Sequence, residues 1–183
     1  NLGLDIKYSI SSDLIASITF NPDFGQIEAD PSVLNLSAFE TGLQEKRPFF
    51  VEGSNFFKAP FGMTYSRRIG QRPRFYSPSD GNLVSRPEAT TILGALKLVG
   101  YTDSGIKYGF LNAVTDEEYG SIEKEIDGET TRENFLIEPY LNYNTSVVQV
   151  PVLNDISAFK LISNNLSRDG ETPITTSAIE GGF

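Results

Sequence analysis

The chain has 183 residues, 39% of them hydrophobic, and 24 acidic against 15 basic side chains give it a net charge of −9. That length fits one domain or a piece of one, the apolar content is low for a densely packed globular core, and an acidic chain without a basic stripe argues against a nucleic-acid partner. With neither cysteine nor histidine in the chain, disulfides, thiolate metal sites and every Ser-His or Cys-His arrangement are excluded, so that any catalysis would rest on carboxylates, Lys or Tyr.

From the N-terminus the pattern is one of strands. Residues 2–10 alternate strictly, with Leu2, Leu4, Ile6, Tyr8 and Ile10 on one face and Gly3, Asp5, Lys7 and Ser9 on the other. After the turn-like Ser11, Ser12 and Asp13, residues 14–20 repeat the alternation, so the two runs predict a β-hairpin. A long excursion over 21–91 follows. Residues 92–99 and 106–114 predict a second hairpin about a turn at 102–105, although both of its faces are fairly apolar. An intermediate loop is expected at about 116–133. Further strands are expected at 135–150, 157–167 and 174–183, with Pro139 marking the start of regular pairing in the first because it cannot donate to a ladder.

Tight turns alternating with long connections are the rhythm of an outer-membrane β-barrel, whose strands of about ten residues turn an apolar face outward. On that reading Asp5, Lys7, Ser9, Ser17 and Thr19 point into a wet lumen, the leucines and isoleucines meet lipid, and Phe20, Tyr101 and Tyr140 lie near strand ends, where aromatic girdles sit. A soluble antiparallel sheet solvated on one face, or a soluble β-sandwich binding module, produces the same alternation, and the pattern does not separate the two. No stretch approaches the roughly 20 apolar residues of a membrane helix, and the N-terminus lacks the look of a signal peptide. The chain is therefore expected to be a mature or excised fragment of something longer.

The long excursion contains NPDFGQIEADP (residues 21–31), FETGLQEKRPFFVEG (39–53) and YSRRIG (65–70), and ILGALKLVG (92–100) and IEPYLNYN (137–144) come later. In that order these runs resemble an incompletely characterised family of outer-membrane β-barrels common in the Bacteroidetes, whose full-length members carry a carbohydrate-binding module of the family-nine type before the barrel. The resemblance runs along most of the chain. It implies an all-β, antiparallel, partial barrel formed by N-terminal strands, located in the bacterial outer membrane, with 21–91 as an inserted plug-like or extracellular segment within a single 1–183 region. It further implies glycan-related binding or passage, with membrane lipid as a partner. The open strand edges would be covered by the remaining barrel strands or by other envelope proteins. The module itself is absent from the chain, which puts sugar binding by these residues in doubt, and no family catalytic motif maps onto them. Phe183 resembles the aromatic end of many barrel proteins but, since the family pattern continues past it, reads as a truncation.

Three sets of side chains in the excursion could carry chemistry. Asp23, Glu28 and Asp30 offer clustered hard oxygens for Ca²⁺, although their spacing fits no EF-hand and backbone or arginine acceptors are the blander reading. Glu40, Glu45, Lys46, Arg47, Glu52, Arg67 and Arg68 supply opposite charges for an ion-pair network bracing a plug or lid packed inside or across the barrel mouth. Phe49, Phe50, Phe56, Phe57, Phe61 and Tyr65 have the aromatic density of a sugar-stacking surface, though the same rings would serve to pin a long loop in place. No catalytic residue is assigned and no cofactor is expected. The competing enzymatic reading is a saccharide hydrolase using paired carboxylates such as Asp23, Glu28 and Glu45. The sequons at Asn35, Asn144 and Asn165 are incidental in a bacterial protein.

Overall fold

The computed structural model describes residues 3–22, 43–73, 81–126, 129–152 and 157–182. Among these the fold is all-β and antiparallel with almost no helix. Strands β1 (Leu4–Ser9), β2 (Leu14–Phe20), β4 (Ile92–Tyr101), β5 (Lys107–Thr115), β8 (Leu141–Val152), β9 (Ser157–Arg168) and β10 (Ile174–Gly182) form one sheet, in the order β1-β2-β4-β5-β8-β9-β10. Strands β3 (Asn82–Ser85), β6 (Glu118–Ile126) and β7 (Glu129–Glu138) form a second sheet in the order β3-β6-β7. The larger sheet is an open meander with β1 and β10 at its edges, and no closed barrel forms among the described residues.

Both predicted hairpins are present. β1 pairs with β2 from Leu4 opposite Phe20 to Ser9 opposite Ile15, and β4 pairs with β5 down to Tyr101 opposite Lys107. The turn between β4 and β5 closes with Thr102 N–H donating to Ile106 O at 2.9 Å and with Gly105 at φ 77°, a left-handed conformation that favours glycine. Gly100 allows a close approach: a Cβ there would stand 2.6 Å from Asp13 O and 2.8 Å from the Tyr108 hydroxyl.

Two expectations are corrected. The 116–133 stretch is a hairpin rather than a loop: β6 pairs with β7 from Glu118 opposite Glu138 to Ile126 opposite Glu129, and β3 adds to its other edge. Its strands are rich in Glu, Lys and Thr, so they show no apolar alternation, and Ile122 and Ile137 are its buried hydrophobic pair. The expected strand over 135–150 is likewise two strands. β7 ends at Glu138 and β8 begins at Leu141, because Pro139 supplies no N–H and interrupts the pairing on both sides. Arg168 at the end of β9 donates to Glu138 at 3.2 Å across this break.

Register assigns each residue of the larger sheet to a face. Ala95, Val99, Leu111, Ala113, Val147 and Ile162 share one face and form a core with Phe49, Phe50, Phe57 and Ile69 of the 43–73 segment. This inward face also holds every charged residue of the seven strands: Asp5, Lys7, Lys97, Lys107, Lys160, Arg168 and Glu180. Outward lie Leu4, Ile6, Tyr8, Phe20, Val148, Val150, Phe159, Leu161 and Ile179, all exposed. Ser17 and Thr19, expected in a wet lumen, are buried instead; Ser17 lies opposite Lys97, over which the 43–73 segment packs.

Candidate functional site

The segment that covers the inward face is a closed unit built around Arg47. Pro48 opens the single helical turn α1 (Pro48–Val51), where its fixed φ and missing N–H cost nothing. Three 3-10 turns follow at Ser54–Phe56, Pro60–Gly62 and Ser66–Arg68. Arg47 Nε and Nη2 donate to the two oxygens of Glu45 at 2.8 and 2.7 Å, Nη1 donates to Ile69 O at 2.6 Å, and Nη2 also donates to Ser66 O at 2.8 Å. Its guanidinium stacks 4.3 Å from the Phe50 ring centre. The start and end of the segment are thereby tied together, and Tyr65 repeats the tie by accepting from Leu43 N–H at 2.7 Å. Burial alone would raise the Glu45 pKa, but hydrogen bonds from Arg47 and Ser66 and the Arg47 charge outweigh it and hold the carboxyl below its usual range.

The sheet holds this unit mainly by its main chain. Lys97, buried on β4, donates to the carbonyls of Phe49 and Glu52, with its ammonium 4.6 Å from the Phe49 ring centre. Lys160 on β9 donates to Lys58 O, Asn164 on β9 to Met63 O at 3.2 Å, and Tyr143 on β8 to Arg68 O at 3.3 Å. The α1 turn thus places two carbonyls and a ring around one sheet lysine. The accompanying ion pair joins Lys7 of β1 to Glu52. Lys97, Lys160, Asn164 and Tyr143 were not singled out from sequence, whereas Lys7 was expected on the inward side. Lys97 carried a signal all the same, as the lone cation inside the apolar run ILGALKLVG.

Between the segment and β8–β10 lies a half-open cleft of about 480 Å³, walled by Met63, Tyr65, Ile69, Tyr143, Leu166 and Ile174 with Thr145, Asn164 and Thr176 among them. Its volume suits a small ligand. Several of its polar groups are already engaged: Asn164 receives a hydrogen bond from Thr145 at 2.8 Å, and the Ser66 hydroxyl donates to Glu45 at 2.6 Å.

The candidate residues divide accordingly. Phe49, Phe50 and Phe57 are buried packing residues, so no ligand can stack on them, and Phe56 packs edge-on against Tyr101 at 5.1 Å. Among the described side chains of that set, which exclude that of Phe61, Tyr65 lines the cleft. Of the ion-pair set, Glu45 and Arg47 form the central pair, whereas Glu52 is bound to Lys7 of the sheet. Arg68 lies 5.7 Å from the Tyr65 ring centre, and Lys46 and Arg67 also have partners. Glu40, Asp23, Glu28 and Asp30 lie outside the described residues, and among the described residues no group of three or more His, Cys, Asp or Glu side chains could hold a metal. Glu45 is poorly suited to act as a hydrolytic acid in this arrangement, because both of its oxygens accept hydrogen bonds and its acidity is increased rather than weakened.

No curated protein and no solved structure matches the chain. Residues 1–179 match the family described as Domain of unknown function (DUF5916), and the chain belongs to that family.

Proposed function

We propose that this chain is a wall section of a bacterial outer-membrane β-barrel, with the 43–73 segment as an internal plug, serving glycan-related binding or passage at the cell envelope. The observation that carries the reading is the partition of charge. A soluble sheet with one wet face turns its charges to solvent and its aliphatic side chains to the core. Here the seven charged residues all lie on the inward face, and the exposed face carries Leu4, Ile6, Tyr8, Phe20, Val148, Val150, Phe159, Leu161 and Ile179. That is the apolar-out, polar-in pattern of a membrane barrel.

The outward apolar stripe also runs obliquely across the sheet. On β1 and β2 it is centred on the paired Ile6 and Ile18. Following the pairing from Ile18 through Leu96, the same row reaches Asn112, Asn144, Asn165 and Thr175, all polar. On β8, β9 and β10 the apolar residues sit lower, at Val148, Val150, Phe159, Leu161 and Ile179. A belt level in a membrane crosses tilted strands in this oblique way, because barrel closure inclines each strand about 35–45° to the axis. Within such a lumen the cleft beside Tyr65 is the place for a neutral saccharide, since its walls carry aromatic faces, hydroxyls and amides, with Arg68 the one cation among them.

The chain contains no tryptophan, so a single introduced one reports on its own surroundings. Leu161→Trp, facing outward, is expected to be quenched by lipids brominated in their acyl chains, whereas Val147→Trp, facing the plug, is not. Equal emission from both in brominated and ordinary vesicles, with the protein monodisperse in plain buffer, would overturn the membrane reading.

A further inference from the structure

Above the apolar belt, on the same outward face, the sheet carries a continuous field of uncharged hydrogen-bonding side chains: Asn112 on β5, Asn142, Asn144 and Ser146 on β8, Asn165 on β9 and Thr175 on β10. We propose that this field is a docking surface for the uncharged sugar headgroups of membrane glycolipids. The proposal rests on the membrane reading above, and position, chemistry and extent each support it.

Position comes from register. Going along β5 from Phe110 to Asn112, or along β8 from Val148 to Ser146, the outward face passes from apolar to uncharged polar within two residues, with Asn144 and Asn142 following on β8 and Val114 on β5. In a barrel whose apolar belt matches the hydrocarbon layer, the next rows lie at the depth of the headgroups.

The chemistry excludes the more usual partners. A strand surface exposed to water ordinarily carries Lys and Glu, which keep it soluble and discourage association. Phosphate headgroups draw Arg and Lys. Neither sign of charge occurs at any outward position of β5, β8, β9 or β10. What occurs is a braced amide ladder. Asn112 Nδ2 donates to Asn142 Oδ1 at 2.6 Å and to Asn144 Oδ1 at 2.8 Å, Asn144 Nδ2 donates to Asn142 Oδ1 at 3.2 Å, and Asn165 Nδ2 donates to the Thr175 hydroxyl at 2.9 Å. This bracing fixes the rotamers before any ligand arrives, which lowers the entropic cost of binding. Among the described residues Asn112 Oδ1 and Asn165 Oδ1 remain as acceptors and Asn142 Nδ2 as a donor. A surface offering both kinds is complemented by groups that donate and accept alike, as sugar hydroxyls do; a carboxylate or an ammonium answers only one kind.

Extent agrees with a thick headgroup. From Asn142 to Ser146 the field spans about 13 Å along the strand at about 3.3 Å per residue, or about 9 Å of height at a tilt of about 45°. A phospholipid headgroup layer is about 5–8 Å deep. The field therefore reaches slightly past a phospholipid headgroup, as a glycosylated one would require.

The test compares the chain in vesicles of phosphatidylcholine alone, of phosphatidylcholine with a monogalactosyl diacylglycerol of the same acyl chains, and of phosphatidylcholine with phosphatidylglycerol. Insertion is followed by quenching of Leu161→Trp and stability by the urea midpoint of unfolding. The midpoint is expected to rise with the galactolipid and not with phosphatidylglycerol. A variant carrying Asn112→Ala, Asn144→Ala and Asn165→Ala is expected to insert equally and to lose that rise, and Asn165→Leu alone is expected to lose part of it while leaving the Asn112 ladder whole. Insertion with equal midpoints in all three lipids, a rise that survives in both variants, or an equal rise with phosphatidylglycerol each overturns the proposal. Failure to insert in any vesicle is distinguishable from these results, because the quenching signal is then lost, and it removes the membrane reading together with the proposal.

Discussion

Arg47 and Glu45 form a two-pronged pair in which Nε and Nη2 of the arginine meet the two carboxylate oxygens at 2.8 and 2.7 Å, with the two side chains only 7% and 14% exposed. A planar guanidinium suits this geometry, because two parallel N–H bonds match the two oxygens and the remaining donors reach Ile69 O and Ser66 O. The pair therefore holds the 43–73 segment together as well as neutralising two buried charges.

Removing one partner leaves the other buried and uncompensated. Arg47→Ala is expected to weaken the folded segment by about 3–5 kcal/mol, and Arg47→Lys to recover little, since an ammonium cannot reproduce the fork. Limited proteolysis supplies the readout: cleavage within 45–70 accelerates in both variants while the outward strands stay protected in detergent. Unchanged cleavage would mean that the ring packing of Phe49, Phe50 and Phe57 holds the segment without the pair.

The same pair makes stability depend on acidity. The folded-state pKa of Glu45 lies below its usual value, so the native state binds fewer protons than the unfolded chain as the pH falls through that range. The contribution is fully present above the unfolded value of about 4.5 and is lost as the pH drops through the lower folded value. Protection of the 43–73 segment in the wild type is expected to fall as the pH drops below about 4.5 by more than in Glu45→Gln, which begins lower and stays flatter. Parallel pH profiles from amide exchange across 43–73 would count against this account.

Outward and inward positions should respond oppositely to charge. Leu161→Arg places a cation on the outward face and is expected to cost about 2–4 kcal/mol in a bilayer if it lies near the midplane. Thr176→Lys puts its charge on the inward side, at the cleft, and is expected to cost little. Reversible unfolding from vesicles measures both. Equal penalties would contradict the assignment of faces.

Gly100 tests the tight contact at the β1–β2 turn. Because a Cβ would fall 2.6 Å from Asp13 O and 2.8 Å from the Tyr108 hydroxyl, Gly100→Ala is expected to cost about 1–3 kcal/mol through forced backbone movement. Asp13 O also accepts from Tyr101 N–H at 2.9 Å, so amide exchange at Tyr101 should quicken. Retention of slow exchange there would show that the turn relaxes without strain.

The local pattern alone determined the pairing of both long hairpins and the parity of side chains in the first; in the second, the register shift between Ile92 and Gly94 buries Ile92 with Ala95 and exposes Leu93, against the expected alternation. Strict alternation from Leu4 to Phe20 permits one pleated register, since a slip of one residue would turn every apolar group over. The β6–β7 hairpin escaped notice because Glu123, Lys124, Glu125, Arg132 and Glu133 leave it no apolar rhythm, and its pairing depends on Ile122, Ile137 and the added strand β3. Tertiary structure decided which face is covered, because period two says only that two faces differ. It also separated Phe49, Phe50 and Phe57, which fill the core, from Tyr65, which borders the cleft. Aromatic density reads the same for packing and for ligand contact until the opposing surface is in place. Lys97 shows the same limit, for a cation in an apolar strand is tolerable only where the carbonyls of Phe49 and Glu52, brought from far along the chain, come to meet it.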